Sequence, residues 1–290
     1  LNDADVRTLR ALDLLSNYLT VAFERFEVHL AAIPTSDDPE EVHQARVGVR
    51  RMRCALRTYR PVFDRLWARS VRNAAVLIAY PLGRVRDADV TFERERMLMH
   101  ELGMDAPHVS EAFDKIRTVR REHLLLVLGS EQSAETLELM KDAVQRPRLV
   151  AGAGTTIGDL LPNARSAWRK VRKSVSRLGS APSDADLHRV RILTKRARYA
   201  VEMVRPVIGD DAKRFCRAAA AFQDELGELQ DAAIARAWLF ELIPMLDADG
   251  ASQAHRLATA EAERAQDARA GWHDAWEALS GDETVAWLDA

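Results

Sequence analysis

At 290 residues, 47% hydrophobic and 30% charged, the chain is long enough to bury a large core and too apolar to be a disordered polymer. No run of about 18 apolar residues occurs, which excludes a membrane-spanning helix, and the two cysteines, Cys54 and Cys216, exclude a disulfide framework. The net charge of −2 conceals a segregation: residues 40–86 hold 11 Arg against 3 acids, residues 160–205 hold 12 Arg or Lys against 3 acids, and the remainder is left at −19.

Segregation of this kind implies a polyanionic partner or extensive internal pairing. Only 6 of the 42 basic residues are Lys. The Arg bias suits bidentate contacts to phosphate or carboxylate, and a GC-rich genome produces the same bias without function. The cysteines read as reduced residues of a cytosolic protein. No charged-then-apolar signal segment opens the chain, and its start at Leu1 rather than Met fits a piece of a longer polypeptide.

With 13 Gly and 10 Pro there is little turn material, and the periodicity is helical nearly throughout. The first helix is expected over 4–32, with Leu9, Leu12, Leu15, Leu19 and Phe23 among its apolar positions. TSDDP ends it. Asp38 then caps a second helix, with Pro39 in the first turn and Glu41 in a capping-box position. That helix runs to about Arg60. Further helices are expected over 65–83, 84–102 (closed by Gly103), 107–128 and 131–145. RPRLVAGAGTTIGD (146–159) is the richest turn segment and divides the chain into halves, 1–150 and 151–290. Helices resume over 159–178, 184–208, 211–227, 229–247, 252–279 and 283–289. The class is all-α, built of long antiparallel helices in bundles.

The second helix carries an unusual row. His43, Arg46, Arg50, Arg53, Arg57 and Arg60 recur at the three- and four-residue spacing of an apolar seam. At about 100° per residue they cover about 100° of arc. Ala45, Val49, Met52, Leu56 and Tyr59 occupy the opposite side, so the helix has an ordinary buried face and a basic one. Charged faces are usually just solvated and mix signs to gain i,i+4 pairs. No acid falls between Arg46 and Arg60, so four adjacent Arg pairs repel by about 0.2–0.5 kcal/mol each. Either a ligand or the acidic remainder of the protein is expected to compensate.

The pattern recurs 145 residues later. HQARVGVRRMRCALRTYRP (43–61) falls on HRVRILTKRARYAVEMVRP (188–206), matching His43 with His188, Arg46 with Arg191, Arg50 with Lys195, Arg51 with Arg196 and Arg53 with Arg198. Glu202 replaces Arg57. LGRVRDADV (82–90) falls on LGELQDAAI (226–234), one residue out of step. Two related halves are expected, each a four-helix bundle, packed about a pseudo-twofold axis that brings the basic helices to a shared surface. Arginines recurring about every 5 Å along a helix match the scale of successive phosphates. His43 and His188, near helix starts, favour an anion through the helix dipole and prefer the neutral form until one arrives.

At these residues the sequence resembles the CHAD family, the conserved histidine α-helical domain. The resemblance rests on H-x-x-R-V-x-V-R-R-x-R (43–53), L-G-R-V-R-D-A-D-V (82–90), H-x-x-R-I-x-x-K-R-x-R-Y (188–199) and L-G-x-L-Q-D-A (226–232). It implies two four-helix bundles related by a pseudo-twofold axis and a basic central surface that binds inorganic polyphosphate, with association to cytoplasmic polyphosphate granules. Carried over by position, the binding residues are His43, Arg46, Arg50, Arg53 and Arg57 with His188, Arg191, Lys195 and Arg198. Arg51 and Arg196, the cluster Arg169, Arg172 and Lys173, and Arg117 and Arg120 beside Arg121 are additional candidates by charge clustering. Asp87 and Asp231 are expected to orient neighbouring arginines. Gly83 and Gly227 are expected to permit a close helix crossing or a bend.

No cofactor or metal is expected. The chain has no P-loop, dinucleotide loop, H-E-x-x-H or G-x-S-x-G. ERERM (93–97) lacks the lysine of the E-x-E-x-K run of a CYTH triphosphatase and sits in a helical pattern. His273–Asp274 has no partner ligands nearby. A binding module rather than an enzyme is expected. Two alternatives use the same basic surface. One is a nucleic-acid-binding module, without sequence specificity because the row lacks residues for base readout. The other is a scaffold docking a protein through the acidic C-terminal half, where residues 231–290 hold 12 acids against 4 Arg.

Overall fold

A computed structural model describes residues 11–150 and 160–289, and 86% of these described residues are helical. In order the helices are α1 (Ala11–Ala32), α2 (Pro39–Thr58), α3 (Arg65–Ala74), α4 (Val76–Glu101), α5 (Pro107–Leu128), α6 (Glu131–Gln145), α7 (Leu161–Val175), α8 (Asp184–Ile208), α9 (Asp210–Leu242), α10 (Ala248–Ser280) and α11 (Asp282–Asp289). The expected start of the first helix, with Leu9, and the glycine-rich stretch 151–159 lie outside the described residues.

Two boundaries differ from those the sequence suggests. The break expected at residues 83–84 falls at Ala75, and α4 runs unbroken past Pro81 and Gly83. The break expected near 228 is absent, because α9 is one helix through Gly227. The Asp38 cap is present, its carboxylate accepting the Glu40 amide at 2.8 Å. The reciprocal half of the capping box is not: Glu41 pairs instead with His29 on α1, at 2.7 Å, and the Asp38 amide donates to Ser36 Oγ at 3.2 Å.

The apolar face of α2 is buried as its periodicity predicts, with Ala45, Val49, Met52, Leu56 and Tyr59 all inside. It packs on α1 so closely that only glycine fits at position 48: a Cβ there would lie 2.6 Å from the Ala22 carbonyl oxygen and 2.7 Å from the Phe26 amide nitrogen. Backbone cannot yield as a side-chain tip does. Gly48→Ala is therefore expected to destabilise the protein by about 2–3 kcal/mol. An unfolding midpoint in urea equal to that of the wild type would contradict this contact.

Helices α1 and α2, α4 and α5, α7 and α8, and α9 and α10 pair in succession, and α2 also packs against α4 and α8. The larger core cluster draws on both sides of residue 150, from Leu15, Phe26 and Met52 to Trp168, Phe215 and Phe222. Tyr59 fastens the two sides directly, its buried hydroxyl donating to the Ala200 carbonyl of α8 at 2.8 Å. The first half is closed by a short backbone pairing in which Asp64 N donates to Arg148 O and Val150 N to Val62 O.

A second cluster joins the far ends of α4, α5, α9 and α10. Beside it, Arg94 on α4 donates through Nε and Nη2 to the fully buried Glu261 on α10, at 2.8 and 2.7 Å, and through Nη1 to Glu228 on α9 at 2.8 Å. Burial works against this guanidinium's charge, yet the two carboxylates hold its pKa above the usual arginine value. The adjacent Glu95 is equally buried, and both its carboxyl oxygens lack a hydrogen-bond partner. Burial, aided by the neighbouring Glu261, pushes its pKa up to about 8.

Candidate functional site

Because α2 and α8 pack side by side, their basic rows meet. Arg46, Arg50, Arg53 and Arg57 from α2 and His188, Arg191, Lys195 and Arg196 from α8 line one cleft of about 330 Å³, with Arg72 from α3 and Cys54 and Tyr199. Among the described residues no carboxylate lines it.

Two of these arginines are seated in the same way. Arg46 lies along α4 at Gly83, where an added Cβ would stand 3.7 Å from Arg46 Nε, and reaches Asp87 at 3.4 Å. Arg191 lies along α9 at Gly227, where a Cβ would stand only 2.8 Å from Nη2, and donates to the Gln223 carbonyl at 3.2 Å. The missing side chain of Gly227 thus makes room for Arg191, whereas at Gly83 a Cβ would meet Arg46 in ordinary contact; both helices run on through these glycines without a break. The aspartate four residues later serves as expected in the first case. In the second, Asp231 forms no ion pair among the described residues. Burial raises its pKa, against the pull of Arg191 and the other cations.

The remaining cleft cations are under-compensated. Arg50, Arg53, Arg57, Arg72, Lys195 and Arg196 form no ion pair with a carboxylate of the described residues, whereas Arg46 and Arg51 do. Nε of Arg50, Arg53 and Arg72 and Nδ1 of His188 are buried without a hydrogen-bond partner. Burial, reinforced by Arg191, Arg50 and Arg46, pushes the Lys195 ammonium down to about 7. Burial and then Arg57 lower the pKa values of Arg53, Arg72 and Arg196. His188 is held below the usual imidazole value by burial and then by Arg191 and Lys195, against a hydrogen bond with Gln230.

Not every expected residue reaches the cleft. His43 stands apart, half-buried, its pKa lowered by burial and then by Arg86 of α4. Arg198 does not line the cleft, and neither does Arg51. Glu202, one turn beyond Arg198, takes both, at 3.7 Å from Arg198 Nε and 3.3 Å from Arg51 Nη2. Arg117 pairs with Asp89 and Asp114, both at 3.1 Å, in a different cleft. Arg120 lies over the Trp238 ring at 4.1 Å, and Arg121 donates to the Ile33 carbonyl at 2.9 Å. Arg172 pairs with Asp289 at 2.7 Å, Arg169 is exposed on α7, and Lys173 lines a groove farther along α7.

Sequence reasoning missed Arg72, Arg86 and Tyr199. Arg72 carries a weak signal, since Arg65, Arg69 and Arg72 repeat at helical spacing on α3. Tyr199 lies beneath Arg198, Arg50 and Arg51, whose guanidinium carbons stand 5.3, 5.6 and 5.8 Å from its ring centre. The cleft therefore offers many N–H donors and, among the described residues, no carboxylate to offset them. Donors with this surplus of positive charge fit an anion bearing several charges.

The family model for the CHAD domain matches residues 17–239. Among solved structures, the chain is similar to PptA from Streptomyces chartreusis, with 21% identity over 92% of this chain and 99% of the other and a TM-score of 0.75. It is also similar to the CHAD domain from the plant Ricinus communis, with 23% identity over 98% and 93% of the two chains and a TM-score of 0.67. No curated protein matches it.

Proposed function

This chain belongs to the CHAD family, and on that premise we propose that it binds inorganic polyphosphate, without catalysis, in the cleft between α2 and α8, and through that ligand associates with polyphosphate granules in the cytoplasm. The observation that carries the reading is the row of uncompensated cations that both helices turn towards one space. Each fork contributes about 1.5–3 kcal/mol on meeting a phosphate oxygen, more than the repulsion of the empty row. A phosphohydrolase sets carboxylates beside the phosphate to hold a metal ion. No carboxylate lines the cleft, and among the described residues no group of three or more His, Cys, Asp or Glu is placed to hold a metal. A single-stranded nucleic acid would want aromatic faces for stacking. The one aromatic ring of the cleft, Tyr199, is already faced by arginines. No helix among the described residues is long and apolar enough to cross a membrane.

Competition of polyphosphate against DNA and RNA at matched salt tests the reading, with polyphosphate expected to displace both. Its pH dependence has a fixed sign. In the free protein Lys195 titrates near 7 and His188, beside it in the cleft, below its usual value. A bound polyanion raises both, so the complex holds more protons than its components over this range. Affinity is therefore expected to fall as pH rises from 6 to 9. A flat profile, or one that rises, would count against the cleft as the binding place.

A further inference from the structure

The basic surface does not end at the central cleft. Arg57 and Arg196 line both it and a second cleft, of about 400 Å³, whose walls include Arg60, at the end of the α2 row, and Lys170 of α7. At Lys170 and Leu193 this in turn meets a third, of about 250 Å³, between α7 and the first half of α8. Lys173 and Arg177 line one wall of that groove and Arg189 the other. Helix α8 thus serves two faces, His188, Arg191 and Lys195 to the centre and Arg189, Leu193 and Arg196 to α7.

The pairing of charges along α7 follows this division. Lys170, Lys173 and Arg177 form no ion pair with the described carboxylates, while Arg172, on another face, is neutralised by Asp289. Asp186, the acid of the groove, is engaged by the Ser183 hydroxyl at 2.6 Å. At the opposite end the path meets Asp87 beside Arg46 and Arg84. The run of cations therefore continues past the centre on the α7–α8 side, where Asp186 is the one carboxylate lining the groove among the described residues.

We infer that the polyphosphate surface continues over the α7–α8 face as an outer subsite, lined by Lys170, Lys173, Arg177 and Arg189, which only chains long enough to leave the central cleft can reach. The inference rests on the proposed reading of the centre. It assigns a direction to the bound chain and a source for a preference for long chains, since a second set of contacts on one tethered ligand adds through effective concentration.

The test is calorimetric titration of the full chain with tripolyphosphate and with polyphosphate of about 100 units, at several salt concentrations. The triple variant Lys170→Glu, Lys173→Glu, Arg177→Glu is expected to hold tripolyphosphate within about twofold of wild type. It should lose about tenfold or more on the long chain, with a salt dependence shallower by about two ions. A control with Lys115→Glu, Lys141→Glu and Arg146→Glu, on α5 and α6, changes the net charge equally and should keep most of the long-chain affinity. Undiminished long-chain binding by the first variant overturns the outer subsite and leaves the centre standing. So does an equal loss for both ligands, or an equal loss in the control. Failure of the wild type to bind either ligand overturns the central reading as well.

Discussion

Replacing Arg50 and Lys195 together by Glu should abolish polyphosphate binding and leave the helix content unchanged. Both side chains line the centre of the cleft, one from each basic helix, and neither has a carboxylate partner among the described residues. The double variant removes two charge-assisted contacts, about 3–6 kcal/mol together, and sets two negative charges against the ligand, so a loss of at least about 100-fold is expected. The fold should tolerate it, because each new carboxylate meets Arg46 and Arg191, which at present repel the lysine. A melting temperature at or above that of the wild type, with affinity lost, is the expected pair of results. The neutral pair Arg50→Gln and Lys195→Gln separates loss of donors from added repulsion and should bind with intermediate strength. Binding by the Glu variant within tenfold of wild type would place the ligand elsewhere.

The second large effect is on stability, at the ion pairs of Arg94. Arg94→Met should cost about 3–5 kcal/mol, since it strips the fully buried Glu261 of its two-pronged partner and leaves only Arg264, at 3.7 Å. Its neighbour Glu95 fixes the pH dependence. Folded, Glu95 keeps its proton up to about pH 8; unfolded, it releases it near the ordinary carboxylate value of 4.5. Between these values the folded state holds the extra proton, so stability drains away as pH climbs through the window. Glu95→Gln removes that slope and should make the protein more stable at pH 8 by about 2–4 kcal/mol, with little change near pH 5. Urea titrations at the two pH values report it directly. Parallel curves for wild type and variant would mean that Glu95 is ionised, and compensated, in the folded protein.

Much of this was readable from residue order alone. The two faces of α2 follow from its period, and the match of residues 43–61 with 188–206 picks out the two helices whose basic rows line the cleft, although their meeting is seen only in the packing. The errors have specific causes. Gly83 and Gly227 look like helix ends in one dimension, whereas both lie inside continuous helices, and at Gly227 the place of the missing side chain is taken by Arg191, which no local pattern records. Arg198 fits the repeat, yet a single acid four residues on, Glu202, draws it and Arg51 out of the cleft. Arg72 belongs to a helix outside the repeated motif and joins the site only through packing. Arg117 and Arg120 cluster in sequence but face Phe92 and Trp238, so local charge density says little about which way a cation points.

The bond from Tyr59 to Ala200, set in a core common to both halves, has an energetic consequence. It ties α2 to α8, the two helices that carry the opposing basic rows. The electrostatic work of crowding them is done once, by the folding of the chain, and is held there until a counter-charge arrives. An anion that fills the space relieves it, so resistance to heat becomes a direct gauge of occupancy, and the empty protein is the more fragile form.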